Sequence, residues 1–268
     1  MEWGSFIQRL QREPAVTITV QSTQGSVPRE AGTWMAVFAQ GEWGTIGGGN
    51  LEFEAIASAR ALLNDTSASS EPLEKRFALG PSLGQCCGGV VVVCLAKVTA
   101  QDIPHLRQMH ERNLQPVALF GGVHVGKALV KVLAPLPFAV RWVDSRDEIF
   151  PDDMPPQVQC EHSNPVQAAV ADLVPHSAVL IMSFSHAEDL DVVMACLLRQ
   201  RQKGDLPYVG LIGSATKWAS FRSRLRERGF TDAECDHITS PIGVPGITGK
   251  EPEVIAVAVA AQLLQLKS

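Results

Sequence analysis

The sequence has no Cys-x-x-Cys pair and no zinc-finger spacing among its six cysteines, which removes the common structural zinc sites from consideration. Six cysteines in 268 residues are also too few for a disulfide scaffold, so free thiols in a reducing compartment are expected. No apolar run approaches the ~20 residues needed to span a bilayer. A secretory leader is not expected either, because Arg9, Arg12 and Glu13 interrupt any apolar stretch near Met1. There is no basic excess. The net charge is -5, which argues against a general nucleic-acid or membrane-surface binder. These absences together predict a soluble, cytoplasmic protein.

What remains is a globular composition, 46% hydrophobic and 19% charged. A domain usually takes roughly 100–200 residues, so this length suggests two, each with its own core. The most unusual stretch is Leu83-Gly84-Gln85-Cys86-Cys87-Gly88-Gly89, directly before Val90-Val91-Val92-Val93-Cys94-Leu95. The valine run reads as a buried strand, with the two thiols at its entry. Glycines keep bulk away from the sulfurs and allow backbone angles that other residues avoid. Such thiols can ligate a soft metal, carry a persulfide or attack an electrophile. The plain alternative is two small apolar residues in a core.

In the first half, Trp3, Phe6, Ile7 and Leu10 share one helix face, stopped before Pro14. Val16, Ile18 and Val20 alternate with threonines as a half-buried strand, and a loop is expected from Gln21 to Thr33. Trp34 to Phe38 returns as a strand, and Gly41-Glu42-Trp43-Gly44 reads as a hairpin turn. Gly47, Gly48 and Gly49 then feed a helix from about Leu51 to Leu63, with Asn50 as the expected N-cap. Backbone N–H groups at such a glycine-rich helix start can point at an anion. Leu73 to Leu79 is a further strand. Short turns joining strands, plus one helix, predict a small, largely antiparallel α+β domain at 1–112.

The second half alternates strands and helices, which predicts a Rossmann-like, doubly wound parallel sheet at 113–268. Val117–Phe120 is a strand that leads into Gly121-Gly122-Val123-His124-Val125-Gly126. Phe138–Val143 is a strand ending at Asp144. The 23 residues from Gly121 to Asp144 match the roughly 20-residue spacing of the ribose-binding acid in dinucleotide folds. The fingerprint is imperfect, because Val123 stands where the middle glycine lets backbone approach a pyrophosphate. His124 is a candidate ligand or proton donor at the helix start. Further on come the strand 178–184, a helix 187–201 with Ser185 and Glu188 as a capping box, and the strand 207–212. The last of these turns at Gly213-Ser214 into a helix carrying Lys217. A Gly/Pro-rich loop at Gly243 precedes the last helix. The three loops opening at Gly121, Gly213 and Gly243 are expected to line one anionic ligand's site.

Together these segments resemble the XdhC/CoxI family of molybdenum-hydroxylase maturation proteins. The resemblance is carried by Gly25-Ser26-Val27-Pro28-Arg29-Glu30, by Gly44-Thr45-Ile46-Gly47-Gly48-Gly49-Asn50-Leu51-Glu52 and by the Cys86-Cys87 turn. It continues through Phe120-Gly121-Gly122-Val123-His124-Val125-Gly126, Trp142-Val143-Asp144-Ser145-Arg146, Gly210-Leu211-Ile212-Gly213-Ser214 and Ser240-Pro241-Ile242-Gly243. The family usually has Gly-Ala-Gly-His-Val-Gly at the first of these later turns, so Val123 departs from its pattern too. The resemblance implies a carrier rather than a metabolic enzyme: a molybdenum cofactor (molybdopterin) chaperone that receives the sulfurated cofactor with a cysteine desulfurase. Delivery would be to the molybdenum subunit of apo-xanthine dehydrogenase, and the carrier is expected to be a homodimer. It implies that Cys86 or Cys87 contacts the metal or its labile sulfur. Gln85, Arg29, Glu52, Gly47, Gly48, Gly49, Asn50, Gly121, His124, Gly126, Asp144, Gly213 and Ser214 are candidates for the rest of the cofactor site. The alternatives are an NAD(P)-dependent oxidoreductase using Asp144, a persulfide-carrying sulfurtransferase, and a scaffold without a small-molecule ligand.

Overall fold

The computed structural model describes residues 3–65, 71–79, 89–112, 114–155 and 157–266. It divides into two compact units, Met1–Met109 and His110–Ser268. The first opens with helix α1 (Trp3–Leu10), which buries Phe6 and Leu10. An antiparallel sheet follows in the order β3-β2-β1-β5-β4. Its strands are β1 (Ala15–Gln24), β2 (Trp34–Val37), β3 (Glu42–Gly44), β4 (Leu73–Ala78) and β5 (Val90–Val98). Helix α2 (Gly49–Asn64) covers one face with Leu51, Ala55 and Ala59, against Val16, Ile18, Val20 and Val93. Burying one such leucine contributes about 1.5–3 kcal/mol.

Four local expectations are corrected here. Strand β1 continues through the anticipated loop to Gln24, past a bulge between Val20 and Ser22, because the valine run of β5 supplies partners as far as Gln24↔Val90. Its start is buried on both faces, not one: Thr17 is buried, and Ala15 joins the α1 core with Phe6, Leu10 and Phe38. The hairpin turn lies earlier, closed by Phe38 N–H on Gly41 O, and Glu42–Gly44 is strand β3. Asn50 is not the N-cap of α2. Gly48 holds that place at φ 75, a left-handed angle open to glycine, and Asn50 lies in the first turn with its amide on Glu54.

A short 3-10 turn (Ala100–Asp102), closed by a Thr99/Asp102 capping box, leads into α3 (Ile103–Arg112). The second unit then alternates strands and helices. In chain order these are β6 (Gln115–Gly121), α4 (Val123–Leu133), β7 (Phe138–Asp144), β8 (Val158–His162), β9 (Ala178–Met182), α5 (His186–Lys203), β10 (Tyr208–Leu211), α6 (Ala215–Glu227), α7 (Asp232–Cys235), β11 (Ile238–Thr239) and α8 (Pro252–Gln265). Every strand pair is parallel, and the order is β11-β10-β9-β6-β7-β8. Counted from β6, that is the doubly wound 3-2-1-4-5-6 arrangement, whose switch point lies between β6 and β9. Alternate residues of β6 feed opposite cores: Val117 and Leu119 meet α4 and α8, while Ala118 and Phe120 meet α5 and α6. The fold class expected from the sequence is therefore the one observed.

Some elements of this unit differ from expectation. The stretch from Pro165 to Leu173, whose pattern predicts a helix, forms a 3-10 helix over Val166–Asp172, and Arg199 binds its last carbonyls. Strand β9 ends at Met182 because Ser183 N–H turns to the Asp189 carboxylate. Neither α7 nor β11 is announced by periodicity, both being too short. Helix α7 is held by Arg222 and Arg226 of α6 on Asp232. Among the described residues, no helix is long and apolar enough to cross a membrane.

Candidate functional site

In the first unit the three motif segments converge. A side chain at Gly47 (φ 120) would meet Pro28 Cβ at 2.6 Å, so the Pro28 ring packs on bare backbone. A side chain at Gly89 would meet Gln24 O at 2.7 Å and Val27 Cγ1 at 2.8 Å. Gly89 O accepts Leu79 N–H at 2.7 Å, which pins the end of the cysteine turn to the same place. Gln85, Cys86 and Cys87 themselves lie outside the described residues.

The glycine loop does gather donors, but the anion they hold is the chain's own. Glu52 Oε2 accepts Thr45 Oγ1–H at 2.5 Å, Ile46 N–H at 2.9 Å and Gly48 N–H at 3.1 Å. Gly47 N–H goes to Thr45 Oγ1. Glu52 therefore clamps the loop from the first turn of α2, where a carboxylate also suits the helix dipole. Arg29 is exposed and packs near Gly47, with no hydrogen bond or ion pair among the described residues.

In the second unit the parallel strands bring the turns at Gly121, Asp144, Ser183 and Gly213 to one edge of the sheet. Gly121 (φ 76) packs so closely on β9 that a side chain would meet Met182 O at 2.6 Å. Gly121 O accepts Trp142 Nε1–H at 2.9 Å. Gly126 lets α4 approach: a side chain there would meet Gly121 O at 2.8 Å and Trp142 at 3.1 Å. Gly122 caps α4 in the left-handed region, and Val123 is the first helical residue, half-buried. His124 is exposed.

Asp144 is at the expected place and is 1% exposed, but its carboxylate is occupied. Oδ1 accepts Arg146 N–H and Nε–H, both at 2.9 Å, and Oδ2 accepts Arg146 Nη2–H at 2.9 Å. This pairing raises the Arg146 guanidinium above its ordinary pKa. Arg146 lies over the Phe184 ring at 4.4 Å, and Phe184 is 66% exposed. Ser145 Oγ–H donates to Glu188 Oε1 at 2.8 Å, while Glu188 Oε2 accepts Phe184 N–H at 3.2 Å. The loop after β7 is thereby fastened to the loop after β9, across the end of β6.

The Gly213 turn does not offer a free cation. Lys217 folds over Gly213 and donates to Asp189 Oδ2 at 2.6 Å and Ile212 O at 2.9 Å. Ser214 Oγ caps α6 by accepting Lys217 N–H. Gly243 packs on Ala258 and donates to Gln262, which ties its loop to α8. Of the three loops expected to share a ligand, the one at Gly121 lies at the switch point. The partners that sequence reasoning missed are Ser145, Arg146, Phe184, Glu188 and Asp189. They come from two separate stretches, 145–146 and 184–189, and their signals were Arg146 two residues after an expected ribose acid and Glu188, whose carboxylate takes Phe184 N–H and Ser145 Oγ–H and does not close the expected capping box.

Four further cysteines are described, and burial raises the thiol pKa of each above 9.0. For Cys94 the charge of Glu74 adds to burial, and Cys196 is pushed up to about 12. At neutral pH their thiolate fractions are below that of a free cysteine. Cys196 should stay unmodified by iodoacetamide in the folded protein. The exposed Cys160 should react at a rate that rises with pH beyond 9.0. A time course by peptide mass spectrometry checks both; rapid native-state labelling of Cys196 would contradict the burial argument.

An antiparallel unit followed by a doubly wound unit with an altered dinucleotide turn defines a two-unit, Rossmann-containing protein. Residues 8–73 match the family described as XdhC and CoxI, and residues 117–263 match its XdhC Rossmann domain. The chain belongs to the XdhC and CoxI family. It is 27% identical over 260 residues to the uncharacterized protein YqeB of Escherichia coli K12, covering 95% of this chain and 44% of that one. It thus spans less than half the length of that relative. A solved structure described as a xanthine dehydrogenase from Bacillus halodurans has the same fold. Its TM-score is 0.77 at 19% identity, covering 100% of this chain and 96% of that one.

Proposed function

We propose that this protein binds the molybdenum cofactor and delivers it to the molybdenum subunit of an apo-xanthine dehydrogenase, receiving the sulfurated form with a cysteine desulfurase. The supporting observation is membership of the XdhC and CoxI family, in a chain whose second unit fixes a guanidinium beside an exposed aromatic ring at the switch point. The donor set fits the ring-and-phosphate end of the cofactor. Arg146 keeps one amino group, Nη1, without a partner among the described residues, and Phe184 leaves most of its surface exposed. A charge-assisted hydrogen bond from that edge to a phosphate oxygen is among the strong kinds. Cys86 or Cys87 is the proposed metal contact, since thiolates suit soft metals. When bound, the cofactor supplies the metal and its reactive sulfur, and the protein's part is to hold and shield them.

The occupied Asp144 carboxylate works against the oxidoreductase alternative, because the ribose of NAD needs that acceptor free. The test is transfer. Free cofactor is mixed with the protein, gel-filtered, and the protein fraction assayed for molybdenum and pterin, then offered to apo-xanthine dehydrogenase. Co-elution followed by gained oxidase activity is expected. A folded protein that carries neither molybdenum nor pterin would overturn the reading.

A further inference from the structure

The antiparallel sheet of the first unit has two unlike faces. Toward α2 it carries Val16, Ile18, Val20, Val93 and Leu95, which fill that core. Alternation puts Thr17, Thr19 and Ala96 on the opposite side, with Thr17 opposite Ala96 and Thr19 opposite Cys94. These side chains are short, and they leave a cleft of 250 Å³ between the sheet and α3. Trp34, His105 and Leu106 complete its walls.

The polar groups of this cleft are unusually free. Thr19 Oγ1, Trp34 Nε1 and the His105 imidazole have no hydrogen bond among the described residues. Thr17 is 6% exposed; its hydroxyl donates to Ala96 O at 3.3 Å and keeps its lone pairs. Asp102 also lines the cleft. Its Oδ2 is held by Thr99 N–H and Thr99 Oγ1–H, and Oδ1 stays open. The lysine of the lining, Lys97, pairs with Val16 of the α2 face, and its Nζ donates to Asp65 O. The cleft thus presents one carboxylate and no fixed cation, which disfavours phosphates and carboxylates. Its volume falls below the roughly 300–1,000 Å³ of sites for drug-sized ligands. That leaves room for one or two rings, and a slot between a sheet and a helix suits a flat one.

We propose that this cleft binds a neutral planar heterocycle of the nucleobase kind, independently of the function proposed above. Trp34 Nε1–H donates to a ring acceptor, while Thr19 Oγ1 and His105 bond the polar edge of the base. Ala96 and Leu106 pack on its ring. Isothermal titration calorimetry on the full chain tests this, with hypoxanthine and inosine monophosphate as probes. Hypoxanthine should saturate with a dissociation constant below about 1 mM, and inosine monophosphate should bind at least about tenfold more weakly. Thr19→Val keeps the side-chain shape, and His105→Ala alters an exposed position. Each should weaken hypoxanthine about fivefold, the usual worth of one hydrogen bond, with the circular dichroism melt unchanged. Ala96→Leu fills the cleft and should abolish binding. No saturable heat from hypoxanthine on the folded chain would overturn the proposal. Natural affinity in both Thr19→Val and His105→Ala would also overturn it, because the base would then sit elsewhere. Equal binding of inosine monophosphate would overturn the preference for a neutral ligand.

Discussion

A variant with Cys86→Ala and Cys87→Ala is expected to lose at least 90% of the molybdenum that co-elutes with the natural chain, while keeping its thermal transition. The reasoning starts from ligand softness. Molybdenum carrying a labile sulfur favours a thiolate partner. The four other cysteines have thiols raised by burial, and the most deeply placed, Cys196, is wholly enclosed by the helix–sheet core. They are poor substitutes. Gly89 does not depend on the sulfurs: it is fixed by its contacts with Gln24 and Val27 and by accepting Leu79 N–H. Loss of metal without loss of fold is the signature of a ligand role. Inductively coupled plasma mass spectrometry on the gel-filtered fraction, beside circular dichroism melting, measures both. Full metal retention by the double variant would remove the pair from the site.

Arg199→Ala is expected to destabilise the second unit by about 3–5 kcal/mol, the usual cost of breaking a buried pair, and to lower its transition by about 10 °C. Arg199 is 5% exposed and donates to both oxygens of Asp205, at 2.9 and 2.7 Å. It also donates to Val170 O, Ala171 O and Leu173 O, the end of the 3-10 helix. Truncation leaves a carboxylate and three carbonyls without their donor at once. Arg199→Lys should fall between, because an ammonium cannot reproduce the fork. The pH dependence has a definite sign. Arg199 holds the Asp205 carboxyl below its ordinary pKa, so the pair's contribution is full above the ordinary carboxylate range and is lost as pH falls through the lowered value. The stability gap between the natural chain and R199A should therefore shrink as pH falls below the ordinary carboxylate range. Urea titrations across that range measure it; a gap that widens would show that Asp205 is not the partner that matters.

Much of the architecture was legible because it is written in local periodicity. The alternation of Val16, Ile18 and Val20, the apolar runs of β6 and β9 and the order of strands and helices follow from side-chain spacing, which the backbone geometry imposes directly. The positions of Asp144, Gly121 and Gly126 were legible for the same reason: a strand–turn–helix unit fixes the distance between its own parts. The sequence alone thus determined two units, one antiparallel and one doubly wound, and located the switch-point turn.

What the residues at that turn do was decided only in three dimensions. Glu52 and Asp144 looked like ligand-binding carboxylates, yet Glu52 clamps its own glycine loop and Asp144 holds Arg146. Lys217 looked like a free cation, yet it neutralises Asp189. The bridge from Ser145 and Arg146 to Glu188 and Phe184 joins residues some forty positions apart, on loops that become neighbours only when β7, β6 and β9 pair in parallel. A charged or polar group takes whichever partner folding brings closest, because leaving it buried and unpaired is costly. That choice depends on long-range contacts, which no local pattern encodes.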